Sequence, residues 1–321
     1  MNSLERFLGC DWGSTSFRLR VVEAGTRRVL AEQSAASGIK AFAPLPAADR
    51  AAAMARFMAD RLAQWPDLPA TVPLIISGMA SSSVGWRELP YATTPFPLDG
   101  TGCEVAHLEF PDGRGAQRSA LLVSGVRTAD DVLRGEECAL IGAHALRPCA
   151  AGRSTLMLLA GTHPKHAWVG DGRLLSFRTH LTGELFDALS RATLLAASVD
   201  REAASGAFDP EAFREGVIRV QADGLSAALF QVRARQLLQG VASAANTWYL
   251  SGLLVGAELT EVAVGDATDM LLVGDERRVD LYRQALLALQ RIPRGQPPPA
   301  IDLATAVIAG QEAILRHAPA K

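Results

Sequence analysis

The sequence predicts an α/β protein of two domains, and three observations carry that prediction. At 321 residues the chain exceeds what one hydrophobic core comfortably serves. It opens on a strand–turn–strand unit whose tip reads Asp11-Trp12-Gly13-Ser14-Thr15. A second unit of that kind, with Gly161-Thr162-His163-Pro164-Lys165 at its tip, follows the linker-like stretch Arg147–Gly152. The expected division is therefore 1–147 and 152–321.

The elements follow from patterning. Residues 7–37 read as a three-strand meander turning at Asp11–Thr15 and Ala24–Thr26. A helix over Ala47–Gln64 is stopped by Pro66, and Val72–Ser77 is a buried strand that opens into the polar loop Gly78–Trp86. Residues 87–117, with Pro and Gly throughout, read as irregular; Leu121–Ser124 is a strand and Asp131–Leu146 a helix. Beyond the linker come strands at Leu156–Ala160, His166–Val169 and Leu174–Thr179. Helices are expected over Gly183–Ser198, Glu211–Gln239 with a break, and Ala244–Val262. The strand Met270–Val273, the helix Glu276–Gln290, a Pro-rich loop at 293–299 and a last helix over Leu303–His317 complete the chain.

Composition excludes several classes of function. Hydrophobic residues at 49% and charged ones at 21% describe an ordinary globular protein. A net charge of −2 with interspersed signs lacks the basic stripe of a nucleic-acid binder. Cys10, Cys103, Cys138 and Cys149 have no paired ligand spacing, so free thiols are expected rather than a zinc site or disulfide framework. No apolar leader precedes the first strand, and Trp248–Leu259 is too short to span a bilayer. A cytoplasmic protein with no membrane surface is the expectation.

The first tip can hold a hydrated Mg²⁺ through Asp11 and let phosphate oxygens approach the backbone at Gly13, Ser14 and Thr15. The same residues suit a plain turn, since turns favour Asp and Gly. With Gly161-Thr162 in the corresponding place, the two tips can face each other across a cleft and grip a nucleoside triphosphate from both sides. No Gly-x-x-x-x-Gly-Lys-Ser/Thr or Gly-x-Gly-x-x-Gly loop offers it another home. Gly274-Asp275, ending a strand before a helix, suits either a flat adenine against backbone or an ordinary strand-to-helix turn. His163 reads as a phosphate-loop residue and His166 as strand packing. The adjacent Glu136 and Glu137 point about 100° apart on a helix, so one of them at most faces a site; that one is either a general base or part of a solvated charged face. Arg127, Arg134 and Arg178 are cations suited to a substrate carboxylate. No Gly-x-Ser-x-Gly elbow accompanies Ser81–Ser83, which excludes the common serine hydrolase arrangement.

The order of these elements resembles the sugar-kinase branch of the actin, Hsp70 and hexokinase superfamily. Within it the chain is similar to the 2-dehydro-3-deoxygalactonokinase family. The segments carrying the likeness are Asp11–Thr15, Ser77-Gly78-Met79 with Val84-Gly85-Trp86, Leu133–Glu137, Gly161–Lys165, Phe177–Thr179 with Leu181–Leu185, and Ser251–Leu254. The resemblance implies a two-domain actin-like ATPase (ribonuclease H-like) fold with an interdomain cleft. It also implies ATP-dependent, Mg²⁺-assisted phosphorylation of the 6-hydroxyl of 2-dehydro-3-deoxy-D-galactonate. Glu136 occupies the family's catalytic carboxylate slot, with Glu in place of the Asp of related kinases and Glu137 as the fallback. Asp11 would organise the metal. Gly13, Ser14, Thr15, Gly161, Thr162, His163 and Lys165 would hold phosphates, and Gly274 and Asp275 the adenine. Gly78, Met79, Trp86, Arg134 and Glu137 would hold the sugar acid. The implied partners are the sugar acid and ATP, with a homodimer left open. The alternatives are a kinase for the gluconate epimer or another sugar acid, and a non-catalytic sugar- or nucleotide-sensing protein on the same fold. No helix-turn-helix module precedes the first strand, which counts against a transcriptional regulator.

Overall fold

The computed structural model describes residues 4–150, 152–262, 268–292 and 296–318. The first three residues of the chain, Ala151 of the predicted linker and 293–295 of the Pro-rich loop lie outside the described residues. In chain order the elements begin with β1 (Arg6–Trp12), β2 (Phe17–Glu23), β3 (Arg28–Ala35), α1 (Ala47–Leu62), β4 (Leu74–Gly78), β5 (Ala92–Thr93) and β6 (Phe96–Pro97). Next come β7 (Val105–Pro111), β8 (Gln117–Val123), β9 (Val126–Arg127), β10 (Val132–Leu133), α2 (Glu136–Leu146), β11 (Ser154–Leu159), β12 (Lys165–Gly170) and β13 (Arg173–Thr179). The remainder is α3 (Thr182–Ala192), α4 (Pro210–Asp223), α5 (Leu225–Gln239), α6 (Ser243–Thr260), β14 (Thr268–Val273), α7 (Glu276–Ala288), β15 (Ala300–Ile301) and α8 (Leu303–His317).

The chain divides into two compact units. The first comprises Met1–Gly152, Trp168–Phe177 and Ile301–Lys321; the second comprises Arg153–Ala167 and Arg178–Ala300. These units differ in their bounds from the expected 1–147 and 152–321: a boundary runs through β12 and β13, and the last helix groups with the first unit.

In the first unit a six-stranded sheet runs in the order β3-β2-β1-β4-β8-β7. The meander β1–β2–β3 is antiparallel, and β4 and β8 add in parallel beside β1. The β3-β2-β1-β4-β8 part is the strand order of the ribonuclease H-like fold expected from the sequence. The central β4 is buried along its whole length and reads as a continuous apolar run, whereas the edge strand β3 alternates half-buried and exposed residues. Trp12 anchors the core beneath the first tip, with ring centroids 4.9 Å from Phe17, 5.6 Å from Phe57 and 6.1 Å from Trp86. Its indole Nε1 donates to the Ser37 carbonyl at 3.0 Å.

Three sequence expectations change. Residues 87–117 are not irregular: β7 pairs with β8 from Val105↔Val123 to Pro111↔Gln117, burying Leu108 and Phe110 on alternate positions. The predicted helix over Asp131–Leu146 begins only at Glu136, because Val132–Leu133 pairs with Val126–Arg127 and Gly135 turns the chain at φ 101°. The predicted Gly183–Ser198 helix ends at Ala192, where the Thr193 side chain caps a separate short turn over Leu194–Ser198.

Helix α8 joins the first unit through its backbone. A Cβ on Gly310 would stand 1.9 Å from the Cys138 carbonyl oxygen, and one on Gly142 would stand 1.7 Å from that of Ala306. Helices α2 and α8 therefore touch main chain to main chain. From α8, Gln311 Nε2 donates to the Cys10 carbonyl and to Ser77 Oγ, each at 3.0 Å, immediately below the first tip. Gly9 leaves the space for it, since a Cβ there would lie 2.2 Å from Gln311 Oε1. Glu312 accepts from the Gly25 N–H and from Arg27 Nε, each at 2.7 Å, and so ties down the far end of the β1–β2 meander.

In the second unit β11 and β14 pair in parallel from Ser154↔Thr268 to Leu159↔Val273. Helix α6 is buried over most of its length and crosses α4 as closely as α8 crosses α2; a Cβ on Gly252 would lie 2.0 Å from the Phe213 carbonyl. The expected break between α4 and α5 falls at Gly224. No helix among the described residues is long and apolar enough to cross a membrane.

The α2–α8 contact yields a stability prediction. Gly310→Ala forces the helices apart and should destabilise the protein by about 1–3 kcal/mol, the usual range for overpacking. Urea unfolding is expected to show a lower midpoint at unchanged slope; an unchanged midpoint would contradict the backbone contact.

Candidate active site

At the first tip the backbone is held from below. Gly13 N–H donates to the Ser16 carbonyl at 2.9 Å, while Ile39 and Lys40 N–H donate to the Gly13 and Ser14 carbonyls at 3.0 Å each. Gly38 lets that supporting segment lie flat against Thr15, where a Cβ would come within 2.3 Å of the Thr15 nitrogen. Gly13 itself is under no such pressure: a Cβ there would meet nothing closer than Ser16 at 3.5 Å. The fold does not require a glycine at the tip.

Two carboxylates of the first unit act on each other. Asp11 is half-buried at the end of β1, 3.8 Å from Arg18 Nη1. Burial raises its carboxyl above the usual range; Arg18 and Arg20 pull it down, and the negative Glu136 pushes it up further. Glu136 and Glu137 occupy the first turn of α2, where the helix end favours negative charge. Their side chains curl back onto the preceding backbone: Glu136 Oε2 accepts from Arg134 N–H at 3.0 Å and Glu137 Oε2 from Gly135 N–H at 2.6 Å. They then diverge. Glu136 stays half-buried, whereas Glu137 is 0% exposed and burial, the largest cause, pushes its carboxyl up to about 8.

The Gly78–Trp86 loop abuts this turn. Gly78 has φ 90° and packs on the Trp12 backbone, and a Cβ on Gly135 would stand 3.1 Å from the Gly78 Cα. Arg134 fixes the loop, with Nη1 donating to Ser81 O and Oγ at 2.6 Å each and its guanidinium lying 4.2 Å from the Tyr91 ring centroid. Met79 and Trp86 are partly buried against the core, the Trp86 ring 5.2 Å from Phe110. Of the other arginines, Arg127 is exposed on β9 and Arg178 pairs with Glu261 at 2.6 Å in the second unit.

In the second unit the Gly161 tip precedes β12. A Cβ on Gly161 would meet nothing within 4 Å. The tip docks on the first turn of α3, where Gly183 N–H donates to the Thr162 carbonyl at 3.0 Å. His163 Nε2 lies 2.6 Å from Glu184 Oε2. Lys165 is buried and turned back on its own loop, its Nζ donating to the His163 carbonyl at 2.7 Å. Gly274 packs against Ala160, and Asp275 caps α7 by accepting from Arg278 N–H at 2.9 Å while pairing with the Arg278 side chain. His166 is more than strand packing: its Nε2 lies 3.1 Å from the buried Glu258. Sequence reasoning passed over Gln311 and Glu258. The available signal was a polar residue directly after an apolar run, Glu258 after Leu253–Ala257 and Gln311 after Ala306–Gly310.

No group of three or more His, Cys, Asp or Glu side chains among the described residues forms a protein-only metal cage. The donor set suits Mg²⁺ nonetheless, because that ion keeps several waters and takes one or two carboxylates together with phosphate oxygens. The carboxylate at the first tip is that of Asp11, on which the negative charge of Glu136 acts.

A family model described as 2-keto-3-deoxy-galactonokinase matches residues 11–314. A Rhizobium meliloti protein described as a probable 2-dehydro-3-deoxygalactonokinase is 36% identical, over 98% of this chain and 98% of its own. The 2-dehydro-3-deoxygalactonokinase of Escherichia coli is 28% identical, over 88% and 90%. A crystal structure of a candidate enzyme of the same name from Sinorhizobium meliloti superposes with a TM-score of 0.77 at 33% identity, covering 97% of this chain and 98% of that one. The chain is a sugar-acid kinase and belongs to the 2-keto-3-deoxy-galactonokinase family.

Proposed function

We propose that the protein transfers the γ-phosphoryl group of ATP to the 6-hydroxyl of 2-dehydro-3-deoxy-D-galactonate, giving the 6-phosphate and ADP in galactonate catabolism. The observation that carries the reading, given the family, is Glu136: a half-buried carboxylate at the head of α2, in the field of Asp11.

Glu136 accepts the proton of the 6-hydroxyl as its oxygen forms a bond to the γ-phosphorus and the bond to the ADP oxygen breaks. Glu137 does not compete for this role, being enclosed and protonated at neutral pH. Asp11 would hold Mg²⁺ through water, and that ion, when bound, neutralises charge on the phosphate oxygens. Ser14 and Thr15 in the first unit, and Gly161, Thr162 and His163 in the second, present backbone donors to phosphates, while Gly13, whose N–H is held by the Ser16 carbonyl, leaves room for a phosphate beside the backbone. Lys165 and Asp275 support the nucleotide loops from within, Lys165 through the His163 carbonyl and Asp275 as the cap behind Gly274. Arg134 and the Gly78–Met79 turn shape the sugar-acid side, with Trp86 packing beneath them. Positioning and charge neutralisation supply most of the catalysis in phosphoryl transfer.

The test is ADP release across 2-keto-3-deoxy sugar acids, including the galactonate and gluconate epimers. Release stimulated most by the galactonate is expected; no stimulation by any of them would favour a sensing protein. In the same assay Glu136→Gln should lose about a hundred- to ten-thousand-fold in turnover, as for loss of a general base, while still binding ATP. An active Glu136→Gln beside an inactive Glu137→Gln would overturn the assignment.

The open space around Gly161 separates ligand from fold. Gly161→Val should leave the thermal midpoint unchanged and weaken ATP binding at least about tenfold, through loss of close backbone approach. Calorimetric titration with ATP reads the effect, and unchanged affinity would remove the tip from the nucleotide site.

Glu137 sets a pH dependence of stability. In the folded protein it keeps its proton up to about pH 8, against an unfolded value of 4.5, so the folded state binds more protons between those values. Stability from this group is thus complete at low pH and falls as pH rises from about 5 to about 8. Melting curves across that window should decline in the wild type and decline less in Glu137→Gln; identical slopes would contradict the buried neutral acid.

A further inference from the structure

The second unit contains a buried polar cluster centred on Glu258, a carboxylate on α6 that is 4% exposed. Its Oε1 accepts from the Tyr282 hydroxyl at 2.6 Å and lies 3.1 Å from His166 Nε2, and its Oε2 accepts from Thr182 Oγ1. An enclosed carboxylate is costly unless its oxygens are satisfied, and here three partners from three elements converge on it. The His180 ring packs at 4.3 Å from His166, completing the wall.

Each partner leads to a nucleotide loop. His166 stands on β12 directly after the Gly161–Lys165 tip. Thr182 opens α3, whose next residue, Gly183, donates to the Thr162 carbonyl at the tip; a Cβ on Gly183 would come within 2.8 Å of Thr162, so the two segments are in close contact. Two residues earlier, His180 N–H donates to the Pro164 carbonyl at 2.9 Å. Tyr282 lies on α7, the helix that Asp275 caps immediately after Gly274. The tip is therefore held on both flanks, and the helix behind Gly274 is held at the same point.

We infer that Glu258 is the positioning residue of the nucleotide loops, a single buried acceptor that fixes the Gly161 tip and the Gly274 turn in mutual register within the second unit. The inference rests on the proposed role of these loops in binding ATP. Glu258 itself does not touch the nucleotide; it acts through His166, Thr182 and Tyr282.

Tyr282→Phe and Thr182→Val each delete one donor at nearly constant volume, and Glu258→Gln removes the charge. Calorimetric titration with ADP and with ATP, steady-state kinetics for both substrates and melting curves are measured on the wild type and all three variants. Each variant should raise the KM for ATP and the dissociation constant for ADP by about tenfold, the equivalent of one hydrogen bond to a charged group. The KM for the sugar acid should stay within about twofold, since no contact of that substrate is altered. A purely structural cluster would lower the melting midpoint and leave the KM for ATP of the folded fraction unchanged. That outcome in Tyr282→Phe and Thr182→Val overturns the assignment even where Glu258→Gln fails to fold. A wild-type protein that binds neither nucleotide overturns instead the functional reading on which the inference rests.

Discussion

The first unit depends on one close approach, that of α2 to α8. Glycines at 142 and 310 let two main chains meet where any side chain would hold them apart. Two consequences follow from that contact. It fixes the axis of the helix whose first turn carries Glu136, and it brings Gln311 under the end of β1 to reach the Cys10 carbonyl and Ser77. The relation between Asp11 and Glu136 is thus set from behind, by packing between helices, rather than by any bond between the two carboxylates. A close-packed interior transmits such placement with little slack.

The second unit solves a similar problem with the same two devices. Helices α4 and α6 cross through Gly252 as α2 and α8 cross through Gly310, and a buried polar residue on α6 or α8 then reaches the loops above. Gln311 serves β1 and β4 in the first unit; Glu258 serves β12, α3 and α7 in the second. In both cases the glycine contact supplies proximity and the polar residue supplies direction. The tips themselves carry glycines that the packing does not require, at 13 and 161, and so remain open toward a ligand.

Much of this was legible in the amino-acid sequence because strands and tips are local. The β1–β2–β3 meander, β4, β8, the Gly161 tip and the terminal helix each announce themselves through alternation, apolar runs or capping residues. What was not legible was tertiary. The strand Val105–Pro111 hides in a Pro- and Gly-rich stretch because its half-buried face is mixed, and pairing with β8 decides its state. The start of α2 at Glu136 depends on Gly135 pressing on Gly78, a residue 57 positions away by number. Trp86 looked like a binding-loop aromatic, and the structure packs it with Phe110. The partners of Glu258 and Gln311 lie on elements that no spacing rule connects to them.

The bond from Gln311 to the Cys10 carbonyl joins residues 301 positions apart. As the chain leaves the ribosome, the opening meander must wait through the synthesis of the entire second unit before the helix that braces it emerges. Closing so long a loop adds to the entropic barrier and slows contacts of this range. The second unit, contained within residues 153–300, has no such wait. Synthesis order therefore runs opposite to assembly order: the half of the protein made first is the half finished last.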